Sequence, residues 1–156
     1  MAQGSFYTYF PNKQAAFEEL VRSLSDDLVA ALATATQDAA TRLDAERLGL
    51  EAFFAFTLEH QSLYRIIRQA EFVNDGLYRA YYQRIATGYE RGLREAMDAG
   101  EVRELDPKAV AWALMGMADF LGMRWVLWKG ELPPRAVVDS ALSLIRAGLS
   151  PNGAVL

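Results

Sequence analysis

Gly76-Leu77-Tyr78-Arg79-Ala80-Tyr81-Tyr82-Gln83-Arg84-Ile85-Ala86-Thr87-Gly88-Tyr89-Glu90-Arg91-Gly92-Leu93-Arg94-Glu95-Ala96-Met97-Asp98-Ala99-Gly100 is the stretch that decides the fold. Tyr78, Tyr82, Ile85, Tyr89, Leu93 and Ala96 recur at steps of three and four, while Arg79, Gln83, Glu90, Arg94 and Asp98 take the other side. At about 3.6 residues per turn, that spacing draws one apolar stripe along an α-helix. Glu90 and Arg94 add a favourably oriented i,i+4 pair, and Gly100 suits the left-handed residue that ends a helix. Asn74-Asp75-Gly76 breaks the preceding pattern and sets an acidic residue at the amino end, where the helix dipole favours it.

The same period extends in both directions. Phe17, Leu20, Val21, Leu24, Leu28 and Leu32 predict a long helix from Lys13, with Asn12 capping its first amides. Its pattern fades over residues 33–41, a small and polar stretch expected to fray, and Asp44 reads as the cap of a helix from about Ala45 to His60. A shorter helix is expected from Ser62 to about Val73. Asp106-Pro107 opens another, because Asp accepts from the first free amides and Pro fits the position where no amide hydrogen is needed. From Ala109 to Trp128 only Asp119 and Arg124 are charged, so this helix is expected to be buried on most of its circumference until Gly130 stops it. Pro133-Pro134 restarts a last helix with Val137, Val138, Ala141, Leu142, Leu144 and Ile145, ending at Gly148. No run alternates polar and apolar residues between turn signals. The fold class is therefore all-α, in one unit without internal repeat or linker.

Composition narrows the function. The 156 residues are 52% hydrophobic and 23% charged, as expected of one ordinary soluble core. Cysteine is absent and His60 is the single histidine, which excludes Cys-ligated zinc, thiol catalysis and multi-histidine metal sites. No metal and no cofactor is expected. Sixteen Lys and Arg against twenty Asp and Glu give a net charge of -4, the wrong sign for binding nucleic acid with the whole surface. Lys13 and Arg22 are offset by Glu18 and Glu19, so residues 1–25 show no basic patch. Met1-Ala2-Gln3-Gly4 carries no export signal, and the expected location is the cytoplasm. The apolar helix holds two charges and has no second span beside it, so no membrane is expected as a partner. A Gly-rich phosphate loop, a nucleophile elbow and a His-Glu-x-x-His motif are all missing, and no enzyme is expected.

Gly4-Ser5-Phe6-Tyr7-Thr8-Tyr9-Phe10-Pro11-Asn12-Lys13 closely resembles the end of the DNA-binding region of the tetracycline-repressor (TetR) family of bacterial regulators. In that family the order Gly, Ser or Thr, apolar residue, Tyr, any residue, Tyr or His, Phe, a short turn and Lys forms the recognition helix and the start of the next. Every one of those positions is filled here. Leu58-Glu59-His60-Gln61-Ser62-Leu63-Tyr64-Arg65 and Ala99-Gly100-Glu101-Val102-Arg103-Glu104-Leu105-Asp106-Pro107 look like segments of the family's regulatory domain. The resemblance implies a TetR-like helical bundle with a two-helix dimerisation surface. Residues 13–150 would be its effector-binding and dimerisation domain, and residues 1–12 a remnant of the DNA-binding domain. The two helices that complete a helix-turn-helix would lie before residue 1. A fragment, a start placed too late and a relative without a DNA reader all fit that observation.

Carried over by position, the resemblance implies that Gln3 and Ser5 face base edges or phosphates, and that Tyr7, Tyr9 and Lys13 contact phosphates. Phe53, Phe56, Tyr64, Phe72, Tyr82, Tyr89, Trp112 and Met115 fall on the helices that enclose the family's effector cavity, and about half of these eight are expected to line it. Asp119 stands among Met115, Gly116, Met117, Phe120 and Met123, where an ionised carboxylate is costly unless paired. It is either a polar anchor for the ligand or the partner of Arg124, Arg84, a Tyr or a Trp. The last two helices, at about 107–128 and 134–147, carry more apolar surface than one chain can bury. Val137, Val138, Ala141, Leu142 and Ile145 are the interface residues this suggests. His60 is expected to cap a helix end, and Gly88 and Gly92 to admit a neighbouring helix or a ligand.

The function this implies is a ligand-responsive DNA-binding transcriptional regulator, most often a repressor in the family. Its partners would be a second copy, a small apolar or aromatic effector, and operator DNA when the missing helices are present. A dimeric binding protein for small apolar molecules, without DNA binding, is the alternative. The helix from Lys13 joins reader to cavity, so a ligand favouring one tilt of it would change the spacing of the two recognition helices.

Overall fold

A computed structural model of the chain describes residues 12–151, and Gln3, Ser5, Tyr7 and Tyr9 lie outside them. Within these residues six α-helices follow one another: α1 (Lys13–Thr36), α2 (Arg42–Glu59), α3 (Gln61–Val73), α4 (Asp75–Asp98), α5 (Pro107–Gly122) and α6 (Arg135–Leu149). A π-helical segment, Met123–Leu127, prolongs α5. No strand occurs among the described residues, as the periodicity predicted.

The expected punctuation is largely in place. Asn12 Oδ1 accepts from the Ala15 amide at 2.9 Å, and Asp106 Oδ1 from those of Lys108 and Ala109 at 2.9 and 3.4 Å. Gly100 and Gly130 hold φ of +74° and +72°, a conformation a side chain would strain. The start of α2 differs from expectation. Its cap is Thr41, whose hydroxyl accepts from the Asp44 amide at 3.1 Å and donates to the Asp44 carboxylate at 2.8 Å. This reciprocal bond starts the helix at Arg42 and leaves Asp44 inside its first turn. Helix α1 also survives its weak stretch, because α2 packs Gly49 against Thr36, leaving only 3.6 Å between the Thr36 methyl and a Cβ placed on that glycine.

Three apolar clusters hold the bundle. Val21, Leu24 and Leu28 of α1 meet Ile67 of α3 and Tyr81 of α4; Leu50 and Phe54 of α2 meet Val126 and Ala141; Leu93, Ala96 and Met97 of α4 meet Ala111, Ile145 and Leu149. Burying each of the larger side chains contributes roughly 1.5–3 kcal/mol. Gly122 lets α5 approach α2, since a Cβ there would lie 3.1 Å from the Phe53 ring.

Helix α5 is less buried than its composition suggested. Of its residues only Ala111 and Gly122 are fully enclosed, and Trp112, Phe120 and, beyond the helix, Trp128 are 41, 67 and 68% exposed. It packs on α2 and α4, and the stripe through Ala109, Trp112, Ala113 and Phe120 is left exposed among the described residues. Helix α6 likewise has two apolar sides. Ala141 and Ile145, expected at an interface, lie in the chain's own core, with Val138 and Leu142 packed beside them and Val137 half-buried. The outward side presents Ala136, Ser140, Leu144 and Ala147 instead, Leu144 being 67% exposed.

Candidate effector cavity

The apolar stripe of α4 does not all pack against protein. Tyr82, Ile85, Gly88 and Tyr89 face a cavity of about 530 Å³ closed by Leu28 and Leu32 of α1, Phe53 of α2, Tyr64 of α3, and Met115 and Asp119 of α5. The volume is that of a site for a small organic molecule. Gly88 keeps it open, because a Cβ there would meet nothing within 4 Å.

Six of the nine anticipated ligand residues line this space: Phe53, Tyr64, Tyr82, Tyr89, Met115 and Asp119. Phe56 packs instead in the cluster of Val21 and Leu28, its ring centroid 4.3 Å from that of His60. Phe72 is 86% exposed, since it follows the buried Ile67 by five residues and so lies about 140° around α3. Trp112 borders a shallow outer groove with Tyr78 and Gln83. His60 joins α2 to α3 through its backbone, its amide donating to the Phe56 carbonyl at 3.0 Å.

Asp119 is paired from α3. The Tyr64 hydroxyl donates to Oδ1, and Arg68 Nη1 donates to Oδ2 at 3.1 Å. Burial pushes its carboxyl up to about 6. A second buried acid, Glu46, marks the other end of the cavity, seven residues or about 10 Å along α2 from Phe53. Arg42 Nε donates to Glu46 Oε1 at 2.7 Å, with Nη2 in an ion pair 2.6 Å from the same oxygen, and the Tyr89 hydroxyl donates to Oε2. The Arg42 guanidinium also lies 5.0 Å from the Tyr89 ring centre. Burial first, then the Glu46 charge, holds the Tyr89 phenol well above its ordinary range. Gly92 makes this cluster possible: a Cβ there would fall 2.5 Å from Arg42 Nη1. Among the described residues no group of three His, Asp or Glu side chains is placed to hold a metal.

Residues 42–149, well over half of the chain, match the family described as "Tetracyclin repressor-like, C-terminal domain". The chain belongs to the tetracycline-repressor family. It is thus a ligand-responsive transcriptional regulator. Over 97% of its length it is 29% identical to the uncharacterized HTH-type transcriptional regulator YdgC of Bacillus subtilis, covering 77% of that protein. Over 96% it is 27% identical to the nucleoid occlusion factor SlmA of Sodalis glossinidius, covering 78%. A solved structure of a protein of unknown function from Rhodococcus sp. RHA1 shares the fold, with a TM-score of 0.78 at 20% identity over 90% of this chain and 75% of that one.

In this regulator one side chain ties the cavity helices to the start of α1. Asn74 ends α3, its amide donating to the Ala70 carbonyl at 2.8 Å, and starts α4, its Oδ1 accepting from the Leu77 amide at 3.1 Å. Its Nδ2 donates to Glu18 Oε1 at 2.9 Å, and a bond from Gln14 first, then this one, holds the Glu18 carboxyl below its ordinary value. Arg42, Glu46 and Arg68 escaped the sequence reading, and Asn74 was seen there only as a helix break. Glu46 had a signal, lying four residues before Leu50 and thus on the buried face of α2, while the Arg68 pair and the Asn74–Glu18 bond act across 51 and 56 residues and left none.

Proposed function

We propose that residues 13–150 form the effector-binding and dimerisation domain of a repressor, and that residues 1–12 belong to its DNA-binding unit. The observation that carries this reading is the double role of α1. It begins at Lys13, the last residue of the recognition-helix motif, and about four to five turns further on its Leu28 and Leu32 form a wall of the cavity. A small apolar or aromatic molecule inside shifts that wall, and the Asn74–Glu18 bond carries movement at the α3–α4 junction to the first turns of the same helix. Gln3, Ser5, Tyr7, Tyr9 and Lys13 serve operator contacts in the cytoplasm once the full helix-turn-helix is assembled; Lys13, the first residue of α1, is the one of these within the described residues. Both acids are tied to an arginine and a tyrosine of the wall, an arrangement that supports a binding role.

The dimer forms through the outward sides of α5 and α6, where Trp112, Phe120 and Leu144 leave apolar surface exposed among the described residues. The interface is thus moved from Ala141 and Ile145 to the side carrying Leu144. Leu144→Asp is expected to give a folded monomer by light scattering at micromolar concentration, with a melting temperature close to that of the dissociated parent. Ala141→Arg, which forces a charge into the core, is expected to unfold the chain. A Leu144→Asp protein that stays dimeric would place the interface elsewhere.

A further inference from the structure

Given that the cavity is the effector site, we infer that its ligand is a hydrophobic amine, held as its ammonium ion by Asp119 among the rings of Phe53, Tyr64 and Tyr82. A carboxylate offers about four acceptor positions. Tyr64 occupies one on Oδ1 and Arg68 one on Oδ2, so Asp119 keeps acceptor capacity on the cavity side. Arg68 reaches it from α3 with 36% of its side chain exposed, whereas the Asp119 side chain is 18% exposed. An ionised carboxylate can only accept, so the polar end of the occupant must donate.

Among donors an ammonium fits best. It compensates the carboxylate charge where water is scarce, and it meets the electron-rich faces of the aromatic wall. A hydroxyl does the first only weakly, and an anionic head meets repulsion. The basic groups of the wall are already engaged: Arg42 is held by Glu46, and Arg84 pairs with Asp26. At the exposed rim Arg91 is followed one turn later by Glu95, of opposite charge. The arriving ammonium also competes with Arg68 for Asp119 and so loosens the tie between α3 and α5, whose α3 end lies nearly two turns before Asn74.

The test holds the tail constant and varies the head: decylammonium, decan-1-ol and decanoate are titrated into the 156-residue chain by calorimetry. Decylammonium is expected to bind at least about tenfold more tightly than either of the others. Asp119→Asn is expected to remove that advantage, weakening the ammonium about tenfold or more while leaving the alcohol nearly unchanged, with melting curves confirming the fold. Tightest binding of the alcohol or the carboxylate overturns the assignment, and so does an ammonium affinity that ignores Asp119→Asn. Either result leaves the cavity intact as an effector site. If none of the three binds, the amine assignment falls, and Nile red, an uncharged dye, then separates a misread ligand from a misread cavity.

Discussion

Arg42→Met is expected to destabilise the fold by about 3–5 kcal/mol, the cost of leaving one member of a buried ion pair without its partner. The Glu46 residue is 4% exposed, and Arg42 supplies the hydrogen bond and the ion pair at its Oε1. With Arg42 gone, the Tyr89 hydroxyl is the remaining donor to that carboxylate. The methionine restores the aliphatic stem but not the charge, so the loss reports the electrostatic part. At about 2–4 °C per kcal/mol for a domain of this size, melting should fall by roughly 6–20 °C. Arg42→Lys should recover only part of this, because an ammonium lacks the planar guanidinium that sets Nε and Nη2 together against Oε1. Urea denaturation of the three proteins measures the difference, and a loss under about 1 kcal/mol would mean that Glu46 is not confined as described.

Gly88→Leu should do the opposite: abolish ligand binding while leaving stability unchanged or improved. A Cβ at this position meets open space, and the residue lines the cavity, so an isobutyl group enters the volume a ligand needs. Replacing glycine inside a helix removes a penalty of about 0.8–1 kcal/mol. Few core substitutions combine these signs. Nile red fluorescence is expected to show binding to the parent chain and a loss of more than about tenfold in the variant, corresponding to more than 1.4 kcal/mol. Unchanged dye binding, or a destabilised variant, would show that the space beside Gly88 is not the binding volume.

The legible parts of this protein were those set by neighbours in sequence. The stripe from Tyr78 to Ala96, the Asp106-Pro107 start and the stops at Gly100 and Gly130 each depend on residues within one or two turns. Asp119 stood out for a similar reason, as an acid on an apolar helix. What sequence left open were choices made by distant partners. Helix α6 is apolar on two sides, so Ala141 and Leu144 look alike until α2 and α5 claim the first and leave the second outside. The π-helical segment was equally hidden, because Arg65, 62 residues away, donates to the Leu127 carbonyl at 2.6 Å. Phe72 was expected at the pocket from its aromatic type and its place on a helix that encloses the family's cavity, although its angle from Ile67 directs it outward.

The central claim is that filling the cavity moves α1 and thereby the spacing of the two DNA-reading ends. The chain has no cysteine, so Lys13→Cys places one spin label at the start of α1 in each protomer of the dimer. Pulsed electron–electron resonance then reads the distance between the two labels with and without saturating Nile red. The account predicts that the distance shifts by more than about 2 Å on binding, beyond the small helix displacements common at interfaces. It further predicts that Gly88→Leu abolishes the shift. A distance distribution that stays the same while the dye is demonstrably bound would contradict it.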